Sequence, residues 1–333
     1  MKQMNSGISS MPSRRQILRW MLGATTLSAV SSLKLVENVA AQSTLPGVDT
    51  LAADIRNAIG DQEMGIDLRK LDDQAQIVFE IAYNADKLYP VASCFKAFLI
   101  YFYFWNVPKE QWKIEPGSDA YQVAVFSNNV LSGFVMREAA GYVDVYGNVM
   151  EKFNDCLLYN IGMTQGMHTW DWEGNPLIGL DDQRFAPSVD RYIDLHGVAY
   201  SADNLTTTAD LARGYTFLAQ AAAGTLAPKP LDPYFDMAHA QLAAQATIDL
   251  LSIPAESYQS PIERAGLAGY IGKDGILQKG DLDVGNVVGD AGIVTVGESR
   301  YILSFISVSQ SEYAAVDTLT NIANAIKKFE GVD

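Results

Sequence analysis

The chain has 333 residues, 48% hydrophobic and 19% charged, with a formal charge of −15 and a pI near 4.6. That length supplies one large globular domain, or two small ones, with a sizeable core, and the acidic balance excludes a nucleic-acid partner and disfavours an anionic membrane, both of which need a basic face. Two cysteines, Cys94 and Cys156, are too few for a disulfide scaffold, and three scattered histidines, His168, His196 and His239, make no metal-ligand pattern, so no metal site is expected.

The N-terminus reads Ser13-Arg14-Arg15-Gln16-Ile17-Leu18, then an apolar run over residues 20–36, then Val39-Ala40-Ala41. An arginine pair, an apolar run and small residues in that order point to a twin-arginine export signal cleaved near Ala41. An amphipathic first helix is the competing reading. The signal makes the export machinery a partner and places the mature protein in the periplasm or medium. Loss of residues 1–41 removes five basic residues and one acid, taking the charge from −15 to −19. No cysteine lies near the cleavage point to carry a lipid, so no stable membrane anchor is expected. No dinucleotide, haem or iron–sulfur fingerprint is present, and no cofactor is expected.

Alternating segments at residues 65–71 and 76–83, separated by Asp72-Asp73, predict a hairpin on a half-buried sheet. The apolar run at residues 95–107 contains Lys96 and is short of the roughly 20 residues that span a bilayer, which makes it a buried core helix. Helical spacing recurs from Ser93 to about Leu251, with Thr207-Thr208-Ala209-Asp210 opening one helix. Residues 168–204, rich in Asp, Gly and aromatics, read as a long loop of the kind that is often functional. Within it Trp170-Asp171-Trp172-Glu173 is either self-packed or a wall facing substrate. Strands are predicted at residues 268–271, 292–296 and 301–308, and an amphipathic helix over residues 313–329. The order implies an α+β fold: a sheet from both chain ends (residues 46–92 and 262–333), and an inserted helical lobe (residues 93–261) with a cleft at the junction.

Three motifs fall at that junction. Ser93-Cys94-Phe95-Lys96 puts a serine and a lysine on one face at a helix start. There the lysine can take the serine proton, and the helix N-terminus favours a developing oxyanion. The spacing alone is weak, because Ser31-Ser32-Leu33-Lys34 repeats it inside the signal. Ser127-Asn128-Asn129 precedes a helical run and offers a hydroxyl and an amide, and Lys273-Asp274-Gly275 lies on a late strand.

Together these resemble the class A β-lactamases and penicillin-binding acyltransferases, whose signature is S-x-x-K, S-x-N and K-T-G. Asn84-Ala85-Asp86-Lys87 through Pro90-Val91-Ala92-Ser93, Thr206 to Ala212, Ile253-Pro254-Ala255 and Asp290-Ala291-Gly292-Ile293-Val294 extend the likeness over most of the mature chain. The resemblance implies a β-lactamase-like fold and a serine hydrolase acting on an amide or ester, a β-lactam or a peptidoglycan-like compound. Ser93 would be the nucleophile, Lys96 the general base and Ser127 the proton shuttle to the leaving nitrogen. Asn129 would hold the acyl amide and Lys273 the substrate carboxylate, with Gly275 beside them. The N–H groups of Ser93 and Ile276 would form the oxyanion hole.

Three departures qualify the expectation. Ser93 and Ser127 are only 34 positions apart, shorter than is usual in class A enzymes. Asp274 stands where the family has a hydroxyl residue, and its carboxylate would partly neutralise Lys273 and repel an anionic substrate. The family's E-x-x-L-N segment is missing, the nearest match being Arg191-Tyr192-Ile193-Asp194-Leu195-His196. That leaves Glu173, Asp194 or His196 to activate water. A binding protein that acylates without turnover is therefore the alternative. Cys94 reads as a buried core residue, with a reactive thiol or a bridge to Cys156 as alternatives.

Overall fold

The expected hairpin forms from β2 (Glu63–Leu71) and β3 (Ile77–Tyr83), which pair antiparallel with Leu68 opposite Ile81. In this computed structural model the described residues are 40–41, 45–141, 149–167, 192–195, 198–201, 204–227, 235–255, 258–278, 286–309 and 311–332. The Arg14-Arg15 pair, His168, the cluster from Trp170 to Glu173 and His196 lie outside them.

The C-terminal half returns to the same sheet. Strands β8 (Ala268–Leu277), β9 (Asn286–Val296) and β10 (Ser299–Ser309) add antiparallel to give the order β1-β3-β2-β10-β9-β8, where β1 is Ala40–Ala41. Each C-terminal strand is longer than its apolar run suggests, because pairing extends through the polar positions beside it. Sheet pairing between β2 and β10 joins residues more than 200 positions apart, from Arg300 opposite Leu71 to Val308 opposite Glu63.

Two apolar layers cover the sheet. On one face helices α1 (Val48–Ile59) and α9 (Glu312–Glu330) pack Leu51, Ile55, Leu319, Ile322 and Ile326 against Ile66, Leu68, Val294 and Leu303. The periodic stripe of α9 is the one the sequence predicts. On the other face sits the helical lobe, centred on α2 (Lys96–Asn106), in which every residue from Lys96 to Phe104 is buried. A helix buried all round needs apolar residues all round, which is what residues 97–104 supply. Around it lie α3 (Asp119–Phe126), α4 (Asn129–Ala139), α5 (Val149–Asp155), α6 (Thr208–Ala222) and α7 (Met237–Leu251). The contact between α6 and α2 is close enough that a Cβ on Gly214 would sit 2.3 Å from the Phe98 ring.

Short pairings tie the lobe to the sheet. Strands β4 (Tyr89–Pro90) and β7 (Leu205–Thr206) pair antiparallel, and Val91 N–H donates to Asn204 O at 3.0 Å. Thr207 caps α6 as expected, and Ser304 Oγ of β10 donates to Thr208 O at 2.7 Å. One expectation needs correction: the inserted lobe is not all helix. Within the span read as loop, β5 (Tyr192–Leu195) and β6 (Val198–Ser201) form an antiparallel hairpin. No helix among the described residues is long and apolar enough to cross a membrane.

Candidate active site

Ser93 lies in the turn that leads into α2. Ala92 before it adopts a left-handed backbone, φ 48°, unusual for a residue with a side chain. Cys94 N–H donates to Val91 O at 3.2 Å and Lys96 N–H to Ser93 O at 3.0 Å, which winds the chain into the helix. The first turn of α2 carries no acidic residue, so no side chain of that turn offsets the positive end of the helix dipole near Ser93.

The edge strand β8 approaches this turn from the other side. A Cβ built on Gly275 would meet Ser93 N at 2.3 Å, Ala92 Cβ at 2.8 Å and Cys94 N at 2.9 Å, so only glycine allows the two backbones to come this near. Ile276 follows on the same edge, opposite Val288 of β9.

Lys96 is 1% exposed. Its Nζ donates to Ser127 O at 2.7 Å and Ser127 Oγ at 3.1 Å, and also to Asn129 Oδ1. Three acceptors for three ammonium protons account for a buried cation. The expected hydrogen bond to Ser93 Oγ is not among those joining the described residues, because the Ser127 turn takes the amine's donors. Ser127 reaches it by ending α3 in a left-handed conformation, φ 57° and ψ 33°, while the Asn128 side chain caps α4 by accepting from Leu131 N–H at 3.0 Å. The sequence thus places Lys96, Ser127 and Asn129 together.

Lys273, 5% exposed, directs Nζ onto Asp274 Oδ1 at 2.8 Å. Tyr258 OH donates to Asp274 Oδ2 at 2.7 Å. Burial pushes the Asp274 carboxyl up, but the Lys273 ammonium and the donors from Lys273 and Tyr258 outweigh it and hold the group below the usual carboxylate range. Directly across the strand pair lies Asp290 of β9, fully buried. Desolvation, together with the charge of Asp274, pushes Asp290 up to about 7 against hydrogen bonds from Tyr270 OH and Ile262 N–H. Tyr258 and Tyr270 carry no signal in the sequence, and Asp290 enters it only within the Asp290-Ala291-Gly292-Ile293-Val294 match, with no role at the site. The β8/β9 register sets Asp274 against Asp290, and the path of the chain before β8 brings in Tyr258.

A small open pocket, with room of about 60 Å³ for water-sized occupants, lies beside this cluster. Ala124 and Val125 of α3, Ile253 and Pro254 after α7, Tyr258, Lys273 and Asp274 line it. The end of the Ser127 helix and the Lys273 strand therefore face each other across a cleft.

Among the remaining candidates, Glu173 lies outside the described residues. Asp194 is on β5, opposite Ala199, with only its backbone described. Neither Cys94 nor Cys156 is in a disulfide, both are buried, and burial pushes the Cys94 thiol well up, so neither the bridge nor a reactive Cys94 thiol forms. His239 is structural: its Nε2 lies 2.7 Å from Trp105 O.

No known family model matches the chain, and no curated protein does. Solved structures do. The extended-spectrum β-lactamase TLA-3 superposes with a TM-score of 0.57 at 12% identity, covering 85% of this chain and 98% of that one. A β-lactamase from Sphaerobacter thermophilus gives 0.55 at 16% identity, over 85% and 97%. A variant of PBP-A, described as an acyl-enzyme complex with penicillin G, gives 0.52 at 16% identity, over 85% and 97%. The chain has the fold of the class A β-lactamases and PBP-A.

Proposed function

We propose that this protein is an exported serine hydrolase that forms an acyl-enzyme on Ser93 with an amide or ester, a β-lactam or a peptidoglycan-like compound. The observation that carries the reading is the approach of the edge strand at Gly275 to the start of α2 at Ser93, within reach of nothing larger than a hydrogen on that glycine. That closeness supports a reading in which the N–H groups of Ser93 and Ile276 together stabilise the oxyanion of acyl transfer. In this reading Lys96, once unprotonated, accepts the Ser93 proton. Ser127, hydrogen-bonded to Lys96 Nζ at 3.1 Å, delivers a proton to the leaving atom. The bond from Ser93 Oγ to the carbonyl carbon forms as the bond to the leaving nitrogen or oxygen breaks.

Intact-mass analysis after exposure to a penicillin and to an activated ester tests this. Either should add the acyl mass, the adduct should map to Ser93, and Ser93→Ala should abolish it. No adduct with any acyl donor overturns the reading.

The Lys273 to Asp274 ion pair favours a second version, in which the protein acylates and holds its ligand with little turnover. An anchoring cation already in partnership binds an anionic substrate weakly. A Ser93 adduct that persists for hours supports this version, and rapid loss of the adduct mass refutes it. Export is tested separately: Arg14→Lys with Arg15→Lys should leave the precursor inside the cell, because the pair is read as guanidinium groups. Normal appearance of mature protein outside would refute the signal.

A further inference from the structure

Resting on the Ser93 acyl-transfer reading, we propose that the cleft beside Lys273 selects substrates with no negative charge on the group lying there, unlike the carboxylate that the K-T-G resemblance assigns to this lysine.

Three observations point the same way. Lys273 Nζ is already 2.8 Å from Asp274 Oδ1, in a pair 5% and 15% exposed, so its charge is neutralised inside the site rather than offered to solvent. Tyr258 OH locks the other oxygen, Asp274 Oδ2, at 2.7 Å, which holds the carboxylate over the lysine instead of letting it swing away. Asp290 stands directly opposite Asp274 on β9, so a second acid adds negative potential whenever it ionises.

A carboxylate entering this cleft meets a cation already paired and a carboxylate within one residue of it, and must give up its hydration for that. An uncharged ester or amide gives up far less hydration on entering. The net charge of −15 adds a long-range bias against anions. The covalent step is unchanged: the Ser93 Oγ to acyl carbon bond forms, the carbonyl to leaving-group bond breaks, and the Ser93 proton ends on the leaving atom.

The test compares benzylpenicillin, which carries a carboxylate, with its methyl ester, normalising each rate to uncatalysed methanolysis. The wild-type protein should acylate with the ester at least tenfold faster than with the acid, and Asp274→Thr should reverse that order. A faster reaction of the acid with the wild-type protein, or an unchanged ratio in Asp274→Thr, overturns the inference. Equilibrium binding to Ser93→Ala separates this from the acylation reading. If no adduct forms on the wild-type chain but Ser93→Ala binds the ester more tightly than the acid, the subsite stands and the acyl-enzyme falls. If Ser93→Ala binds neither compound, the subsite falls.

Discussion

Gly275→Ala tests the closeness of the two backbones at Ser93. The added methyl would lie 2.3 Å from Ser93 N, 2.8 Å from Ala92 Cβ and 2.9 Å from Cys94 N, where ordinary contact begins at 3.4 Å. Two of those atoms are backbone, so no rotamer change can relieve the clash, and β8 must retreat by about 1 Å. A displacement of that size between catalytic elements costs about 100-fold in rate, and overpacking of this kind costs roughly 1–3 kcal/mol of stability. The initial rate of Ser93 acylation, followed by intact mass, should fall about 100-fold, and Tm should drop by several degrees. Gly289→Ala is the control on the paired strand. Its methyl meets the Cys94 thiol at 3.0 Å and backbone only at 3.6 Å, so its effect on rate should be small. A Gly275→Ala protein that acylates within threefold of the parent would refute the idea that strand and helix start form one oxyanion site.

Other changes probe the buried groups. Lys96→Met removes the cation that joins α2 to the Ser127 turn, leaving Ser127 O and Asn129 Oδ1 without its protons. Acylation should fall by at least 100-fold, with roughly 1–3 kcal/mol of stability lost in denaturant melts. Asp290 gives up its proton at about 7 in the fold and at 3.8 ordinarily, so the native state holds the extra proton between those values. The stabilisation is complete below pH 3.8 and lost as pH rises through 7, and Asp290→Asn should flatten the fall in Tm between pH 4 and 8. Gly214→Ala should push Phe98 out of the α2/α6 seam, since its methyl would lie 2.3 Å from the ring, and lower stability by roughly 1–3 kcal/mol in the same melts.

What the sequence made legible is what has a period or a fixed local spacing. The β2/β3 hairpin shows in its alternation and α9 in its stripe, whereas the helix face expected to join Ser93 and Lys96 does not form, because Ser93 lies in the turn before α2. Strands β4 and β7 are two residues each and carry no period, yet they join the lobe to the sheet just before the Ser93 turn. The β5/β6 hairpin is hidden in a span whose Asp, Gly and aromatic content reads as loop. The Lys273, Asp274, Tyr258 and Asp290 cluster is half legible. The charge on Asp274 is visible next to Lys273, but the second acid enters only through strand register and the tyrosine only through the path of the chain before β8.

Strain is concentrated at the same place. Four non-glycine residues among those described have left-handed backbone, Ala75, Asn84, Ala92 and Ser127, and the last two belong to the site. Each costs of order 1–3 kcal/mol and persists only where its neighbours over-determine it. Ala92 is held from the N-terminal side by the β4/β7 pairing and the Val91 to Asn204 hydrogen bond, and from the C-terminal side by the turn into α2. Ser127 is held by the end of α3, by the Asn128 cap of α4 and by Lys96 Nζ on both its oxygens. The sheet, the central helix and the α3/α4 corner therefore each fix one part of the arrangement. None of them fixes it alone, which is why the Ser93 turn, a buried lysine and the Ser127 corner, from three stretches of chain, come together only in the folded protein.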